Sequence, residues 1–208
     1  MNTGDTAFMM ICAALVFFMT PGLAFFYGGL VRRKNVCNTI MACVAIMGLS
    51  VVMWTLFGYS LSFGGNHAGI IGDFRWFGLN GVGMEAGPYA DSIPHLVFCA
   101  FQMMFAMITP ALITGSLVGR MKFKALFLFV AIWSVIVYYP MTHMVWGDGG
   151  FLAAIGSVDF AGGDVVHISS GISALVLAII LGRRRGYEHT TYRIHNIPSV
   201  VLGASLLW

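Results

Sequence analysis

The chain has 208 residues, 59% of them hydrophobic and only 9% charged, with a net charge of +3 and a mean hydropathy of +0.86. A soluble domain of this size needs far more charge to cover its surface, so a water-soluble globular fold is excluded. The charge excess is too small, and too little interleaved with aromatics, to indicate a nucleic-acid partner.

The apolar residues come in solid runs of ~20 or more, the length a helix needs to cross a bilayer core of ~30 Å. Solid runs rather than alternation also argue against a β-barrel. The start, MNTGDTAFMM, lacks a basic n-region and a small-residue cleavage site, so the first run is expected to be retained as a helix. Five full spans are predicted, at about 7–31, 39–63, 93–118, 125–146 and 163–182. Pro21 lies inside the first, where it predicts a kink or a packing notch. Between the second and third spans, residues 64–94 are rich in glycine and turn residues and predict an ordered loop rather than a domain. A sixth run covers 197–208. At ~1.5 Å per residue it reaches ~18 Å and does not span. This predicts a chain that stops within a helix, as a fragment of a longer protein or the product of a shortened gene.

Ten of the eleven basic residues follow the first, third and fifth spans: Arg32, Arg33 and Lys34; Arg120, Lys122 and Lys124; Arg183, Arg184, Arg185 and Arg193. Only Arg75 falls on the other side. The positive-inside rule makes the basic side cytoplasmic and places the N-terminus extracellular or periplasmic. Asp5, Asp73, Glu85, Asp91, Asp148, Asp159 and Asp164 then lie at the outer face. They are either an electrostatic vestibule for cations or a solvated loop face, and for Asp73, Glu85 and Asp91 the solvated face is preferred. The four cysteines, Cys12, Cys37, Cys43 and Cys99, form no CxxC pair and read as small packing residues rather than a disulfide framework or a metal site.

Three stretches converge on the outer half of the membrane in this topology. FQMMFAM in the third span places Phe101 and Phe105 one turn apart on one face, an arrangement that ordinary packing also produces. HMVWGDGG closes the fourth span with Trp146, at a depth where tryptophan commonly serves as an interface anchor. DFAGGDVVHISSG opens the fifth, and its His167 differs in kind. An ionisable group inside a span is costly and by default marks function, although a histidine bonded to a neighbouring helix is the bland alternative. Gly171, Ala174 and Ala178 follow it at i+4, i+7 and i+11, a stripe of small residues permitting close packing or a narrow path. Asp159 precedes a glycine pair, where its carboxylate is expected to cap the helix and act on an incoming cation only through its charge. A membrane-embedded metal enzyme using His143, His167 and Asp159 lacks any recognised ligand spacing, so neither an enzyme nor a metal site is expected.

DFAGGDVVHISSGISALVLAIILGRR resembles the signature segment of the ammonium transporter (Amt/MEP/Rh) family. PGLAFFYGGLVRRKNV, FQMMFA and HMVWG resemble other family motifs in the expected order, so the resemblance runs from about residue 5 to 208. It implies an all-α polytopic membrane protein with five complete transmembrane helices and the start of a sixth. These would form one half of an inverted-repeat, eleven-helix fold that assembles as a homotrimer. The implied activity is ammonium/ammonia transport across the lipid bilayer without a cofactor, with a cytoplasmic regulatory protein as a further partner. An ammonium sensor fused to a signalling domain is the alternative. Carried over by position, Phe105 is the pore-gating phenylalanine, Phe101 its vestibule neighbour, Trp146 the cation-binding tryptophan, Asp159 the recruitment carboxylate and His167 the first pore histidine. The family's second pore histidine, second gating phenylalanine and vestibule serine belong to later spans, so residues 1–208 are not expected to build its complete pore. Gly119 stands where many members have an acidic residue, and Asp148 and Asp164 stand where glycine or threonine is common.

Overall fold

The computed structural model describes residues 1–184, 187–188 and 193–208. Among them, five helices are long and apolar enough to cross a membrane: α1 (Thr3–Leu30), α2 (Arg33–Phe63), α3 (His95–Leu117), α4 (123–146) and α5 (Gly163–Leu181). A shorter apolar helix, α6, covers Ile197–Leu207. Arg185 lies outside the described residues.

Several ends differ from the periodicity-based expectation because polar residues extend the helices beyond their apolar runs. α1 begins at Thr3 rather than 7, since the Asn2 side chain accepts from the N–H groups of Gly4 (2.8 Å) and Asp5 (3.3 Å). α2 starts with a 3₁₀ turn at Arg33–Asn35, so its basic residues belong to the helix entrance. After Trp146 the chain makes a tight turn and a short helix, Phe151–Ala154, before α5.

α1 stays one helix through Pro21, and the notch lies beside it. A Cβ on Gly22 would meet the Leu206 side chain at 2.7 Å, and one on Gly203 would lie 2.3 Å from the Phe26 backbone nitrogen. Only glycine at both positions lets α6 run against α1 this closely. His195 and Asn196 both donate their backbone N–H groups to the Gly29 carbonyl, at 3.0 and 3.1 Å, seating the start of α6 on the end of α1.

Polar side chains tie the apolar spans together. Tyr27 donates to the Leu112 carbonyl (3.0 Å), joining α1 to α3. Trp54 donates to the Cys99 carbonyl (3.2 Å), joining α2 to α3, and Trp133 donates to Ser173 Oγ (2.8 Å), joining α4 to α5. Such bonds add specificity where lipid supplies little hydrophobic drive between helices. α2 and α4 each contain one wide π-type turn, at Trp54–Gly58 and Ser134–Tyr138. The two helices meet there, with the Tyr139 ring filling the space that a Cβ on Gly58 would need.

The segment after α2 is ordered. Asp73 accepts from the N–H of Gly65 (3.0 Å), from the N–H of Arg75 (3.0 Å) and from Arg75 Nε (3.0 Å to Oδ2). Partial burial pushes its carboxyl pKa up, but these donors and the Arg75 charge outweigh that and hold it below the ordinary value. Asp73 therefore organises the loop rather than decorating a solvated face. A two-stranded hairpin, β1 (Ala86–Gly87) against β2 (Ala90–Pro94) with a bulge between its pairs, is the departure from an all-α chain among the described residues. The Asn2 N–H reaches the Ser92 carbonyl in β2 at 2.6 Å, so the N-terminus sits at the loop end of the bundle. At the opposite end, Arg32, Arg184 and Arg193 line one cavity, and Arg120, Arg183 and Lys122 border clefts beside it.

Candidate functional site

Phe101 and Phe105 project from one face of α3, with ring centroids 5.1 Å apart and planes at 80°. Their edge-to-face contact follows from i, i+4 spacing. Trp146, at the end of α4, joins them: its ring lies 6.0 Å from Phe105 at 71°. The three aromatics form a continuous, half-buried wall at the loop end of the bundle.

The far side of Trp146 is held by the entrance to α5. Its indole Nε1–H donates to the Asp159 backbone carbonyl at 2.9 Å. The Asp159 carboxylate turns the other way and accepts four backbone N–H bonds. Oδ1 takes Gly162 (2.6 Å) and Gly163 (2.8 Å), and Oδ2 takes Asp164 (2.8 Å) and Val165 (3.0 Å). These are N–H groups that a helix start leaves without partners, so Asp159 is the cap of α5. Partial burial raises its pKa, but the four donors together outweigh it and keep the carboxyl below the ordinary value. The turn also requires Gly162, at φ +104°, where a Cβ would press on the Val166 side chain at 2.7 Å. One carboxylate thus fixes the loop whose carbonyl orients the tryptophan.

His167 sits in the first turn of α5, a wide π-type turn over Gly163–Ile168, and its N–H donates to the Gly162 carbonyl at 2.9 Å. Such turns recur at functional positions because they redirect side chains within an otherwise regular helix. The imidazole is exposed, and among the described residues it makes neither a hydrogen bond nor a ring contact with Phe105 or Trp146. Its neighbours on the exposed side are apolar: Ile168, Ile172 and Leu175 are each more than half exposed. The small-residue stripe divides. Gly171 faces open space, whereas Ala174 packs against the core and the Ala178 carbonyl accepts from Arg120 Nη1 at 3.2 Å. Phe101, Phe105, Trp146 and Asp159 are therefore brought together, and His167 is not.

Three supporting residues were not expected at this site from sequence, His143 having been weighed only as a metal ligand. His143 is fully buried, with Nδ1 3.0 Å from the Ser62 carbonyl, and it lies one turn before Trp146. Asn66 donates to the Gly149 carbonyl (2.8 Å) and accepts from the Gly69 N–H (2.6 Å), strapping the turn after Trp146 to the loop. Tyr89 accepts from the Asp148 N–H (3.1 Å) and donates to the Phe63 carbonyl (2.8 Å). The available signal was the position of His143 three residues before Trp146, on the same helical face. Asp164, read as a possible cation attractor, accepts the Ser157 hydroxyl at 2.6 Å and braces the same loop. Among the described residues, no group of three or more His, Cys, Asp or Glu is placed to hold a metal.

A model of the Ammonium Transporter Family matches residues 7–208. The chain is 49% identical over 208 residues to an ammonium transporter of Bacillus subtilis, covering all of this chain and 50% of that protein. It is 48% identical to one of Aquifex aeolicus, covering all of this chain and 48% of the relative. The crystal structure of Candida albicans Mep2 superimposes with a TM-score of 0.86 at 31% identity, over 100% of this chain and 46% of that one. A structure described as a sensor Amt protein gives a TM-score of 0.83 at 29% identity, over 96% and 51%. The chain spans about half the length of the curated relatives it matches. Sequence, fold and the order of its motifs agree: this is a multi-pass membrane chain that belongs to the ammonium transporter family.

Proposed function

We propose that the chain supplies half of a path for ammonium and ammonia, with its N-terminus on the outer side and the working protein a homotrimer. The observation that carries this reading is the aromatic wall of Phe101, Phe105 and Trp146 held against the Asp159-capped loop. Ammonium and potassium are similar in size and charge, so a plain electrostatic well separates them poorly. Aromatic faces hold a partly dehydrated cation through cation–π attraction of ~0.5–2 kcal/mol each. The charge of Asp159, consumed in capping, adds a field rather than a direct ligand. Beyond Phe105 the cost of carrying a bare charge into the membrane rises by several kcal/mol, which stops potassium. Ammonium lowers that cost by giving up a proton. The remaining ammonia needs only a hydrogen-bond partner, which the imidazole of His167 provides as donor or acceptor.

Currents evoked by ammonium in proteoliposomes of the full-length protein, with potassium as control, test this reading. Ammonium current with potassium silent is expected, and Trp146→Leu should weaken apparent ammonium affinity roughly tenfold, the loss of ~1.4 kcal/mol of cation binding. Equal currents for the two cations would refute it. A sensor role is the second reading, and its single support is the match to the sensor Amt protein. A signalling segment in the same reading frame, with ammonium changing its output in a flux-dead variant, would establish that role instead.

A further inference from the structure

His143 occupies the last turn of α4, one turn before Trp146, and its ring is fully buried. Nδ1 lies 3.0 Å from the Ser62 backbone carbonyl, and Nε2 lies 3.4 Å from Asn66 Oδ1. The orientation of the Asn66 amide is fixed independently of the histidine. Its Oδ1 accepts the Gly69 N–H (2.6 Å), while its Nδ2 donates to the Gly149 carbonyl (2.8 Å). Both nitrogens of the imidazole therefore face acceptors. The turn after Trp146 closes tightly on this ring, since a Cβ on Gly147 would lie 2.6 Å from Nδ1. The same turn is held to the loop a second time, where the Phe151 N–H donates to the Gly69 carbonyl at 2.8 Å.

A neutral imidazole carries one N–H and one lone pair. With the proton on Nδ1 the bond to Ser62 forms, and the Nε2 lone pair meets the Asn66 oxygen. With the proton on Nε2 the same conflict moves to Ser62. Only the doubly protonated ring donates at both nitrogens, and Asn66 Oδ1, which accepts once from Gly69, retains a second lone pair to receive it. A buried charge is costly unless it is hydrogen-bonded and paired. The ionisable groups that act on the ring through space are His67 and Asp73 from the loop and Asp148 from the turn. Asp73 is offset by Arg75 at 3.0 Å, and the Asp159 carboxylate is spent on its own N–H groups. Asp148 is thus the counter-charge and His67 the opposing group. We propose that His143 is a positioning residue for Trp146 that works as a proton-operated latch: a proton taken up at Nε2 ties Asn66 to the helix bearing Trp146 and stiffens the turn that follows. Histidine ordinarily titrates near neutral pH, so the latch closes as the solution at the loop end turns acidic. Its consequence for transport, a firmer seat for Trp146 in acid, rests on the ammonium reading above; the latch itself does not.

Full-length protein in detergent is prepared with isotope-labelled histidine, and the protonation of His143 is followed by NMR from about pH 8 to about pH 4.5. Hydrogen exchange over the same range, corrected for its intrinsic pH dependence, reports the protection of residues 147–151. Nδ1 should keep its proton throughout while Nε2 gains one. Protection should rise roughly threefold or more at the same midpoint, as expected for one added hydrogen bond. Asn66→Asp keeps an acceptor opposite Nε2 and adds a charge, so both changes should move to higher pH by about one unit. His67→Gln should leave both in place, which separates the latch from the exposed imidazole beside it. His143→Gln should abolish the rise in protection; if that variant fails to fold, the native protein and Asn66→Asp decide. A ring that stays singly protonated across the range, protonation that leaves residues 147–151 unchanged, or a response unmoved in Asn66→Asp or lost in His67→Gln overturns the proposal. Neither readout involves ammonium, so failure of the latch and failure of the transport reading are separate results.

Discussion

At Asp159 four backbone N–H groups converge on one carboxylate, whereas two turns further on His167 projects from an apolar, exposed face with no partner among the described residues. The first region closes its polar bonds within the chain, so its residues are tied to folding. The second makes no structural demand on its histidine, so nothing in this chain's stability requires an imidazole there. Substitutions should therefore separate the two: at the capped loop stability and transport fall together, and on the open face transport falls alone.

The largest effect is expected from Asp159→Ala. Losing a cap costs about 0.5–2 kcal/mol, and further N–H groups left without the carboxylate raise this to roughly 2–3 kcal/mol. Thermal unfolding in detergent should show the loss, accompanied by reduced ammonium flux because Trp146 loses its oriented acceptor. Retained stability with lost flux would move Asp159 from a positioning role to direct contact with the cation.

Acid should reproduce that change reversibly. The Asp159 carboxyl has a lower pKa folded than unfolded, where the ordinary value is about 3.9. Its contribution to stability is therefore fully present above that value and is lost as pH falls through the folded pKa. A loss in tryptophan fluorescence or melting temperature confined to pH below about 4, and absent in Asp159→Ala, is the expected result. Asp73, also held below its ordinary value, contributes in the same direction at the neighbouring loop, so the Asp159 part is read as the difference between the two proteins.

Gly162→Ala comes next, at roughly 1–3 kcal/mol, because alanine must adopt φ +104° and meet Val166. Its melting temperature should drop while the carboxylate chemistry of Asp159 is untouched. The smallest stability change belongs to His167→Ala, within about 0.5 kcal/mol. Flux should nevertheless be lost, or potassium should leak; unchanged ammonium flux with potassium still excluded would remove His167 from the path. A large drop in stability at His167 would instead dissolve the contrast between the two regions.

Much of the architecture was legible before any coordinates. Runs of apolar residues longer than a bilayer crossing specify the five spanning helices, because backbone polar groups in lipid must be satisfied within each segment. The distribution of Arg and Lys groups the basic helix ends, and the aspartate ahead of paired glycines marks the cap of α5, since both are local patterns. His143, Asn66 and Tyr89 were not legible, because each acts on a residue distant in the chain through bonds that depend on how helices and loops dock.

By itself, then, the sequence determined that the chain enters a membrane as helices, where those helices lie, and which residue types are available at each end. Only the tertiary structure decided that Phe105 meets Trp146, that the Asp159 carbonyl aims the indole, and that His167 lies on an exposed face of α5 apart from them. The physical reason is one of range: hydrophobic length and capping are set within a few residues, whereas ring contacts and cavity linings arise from segments with no spacing relation in the chain.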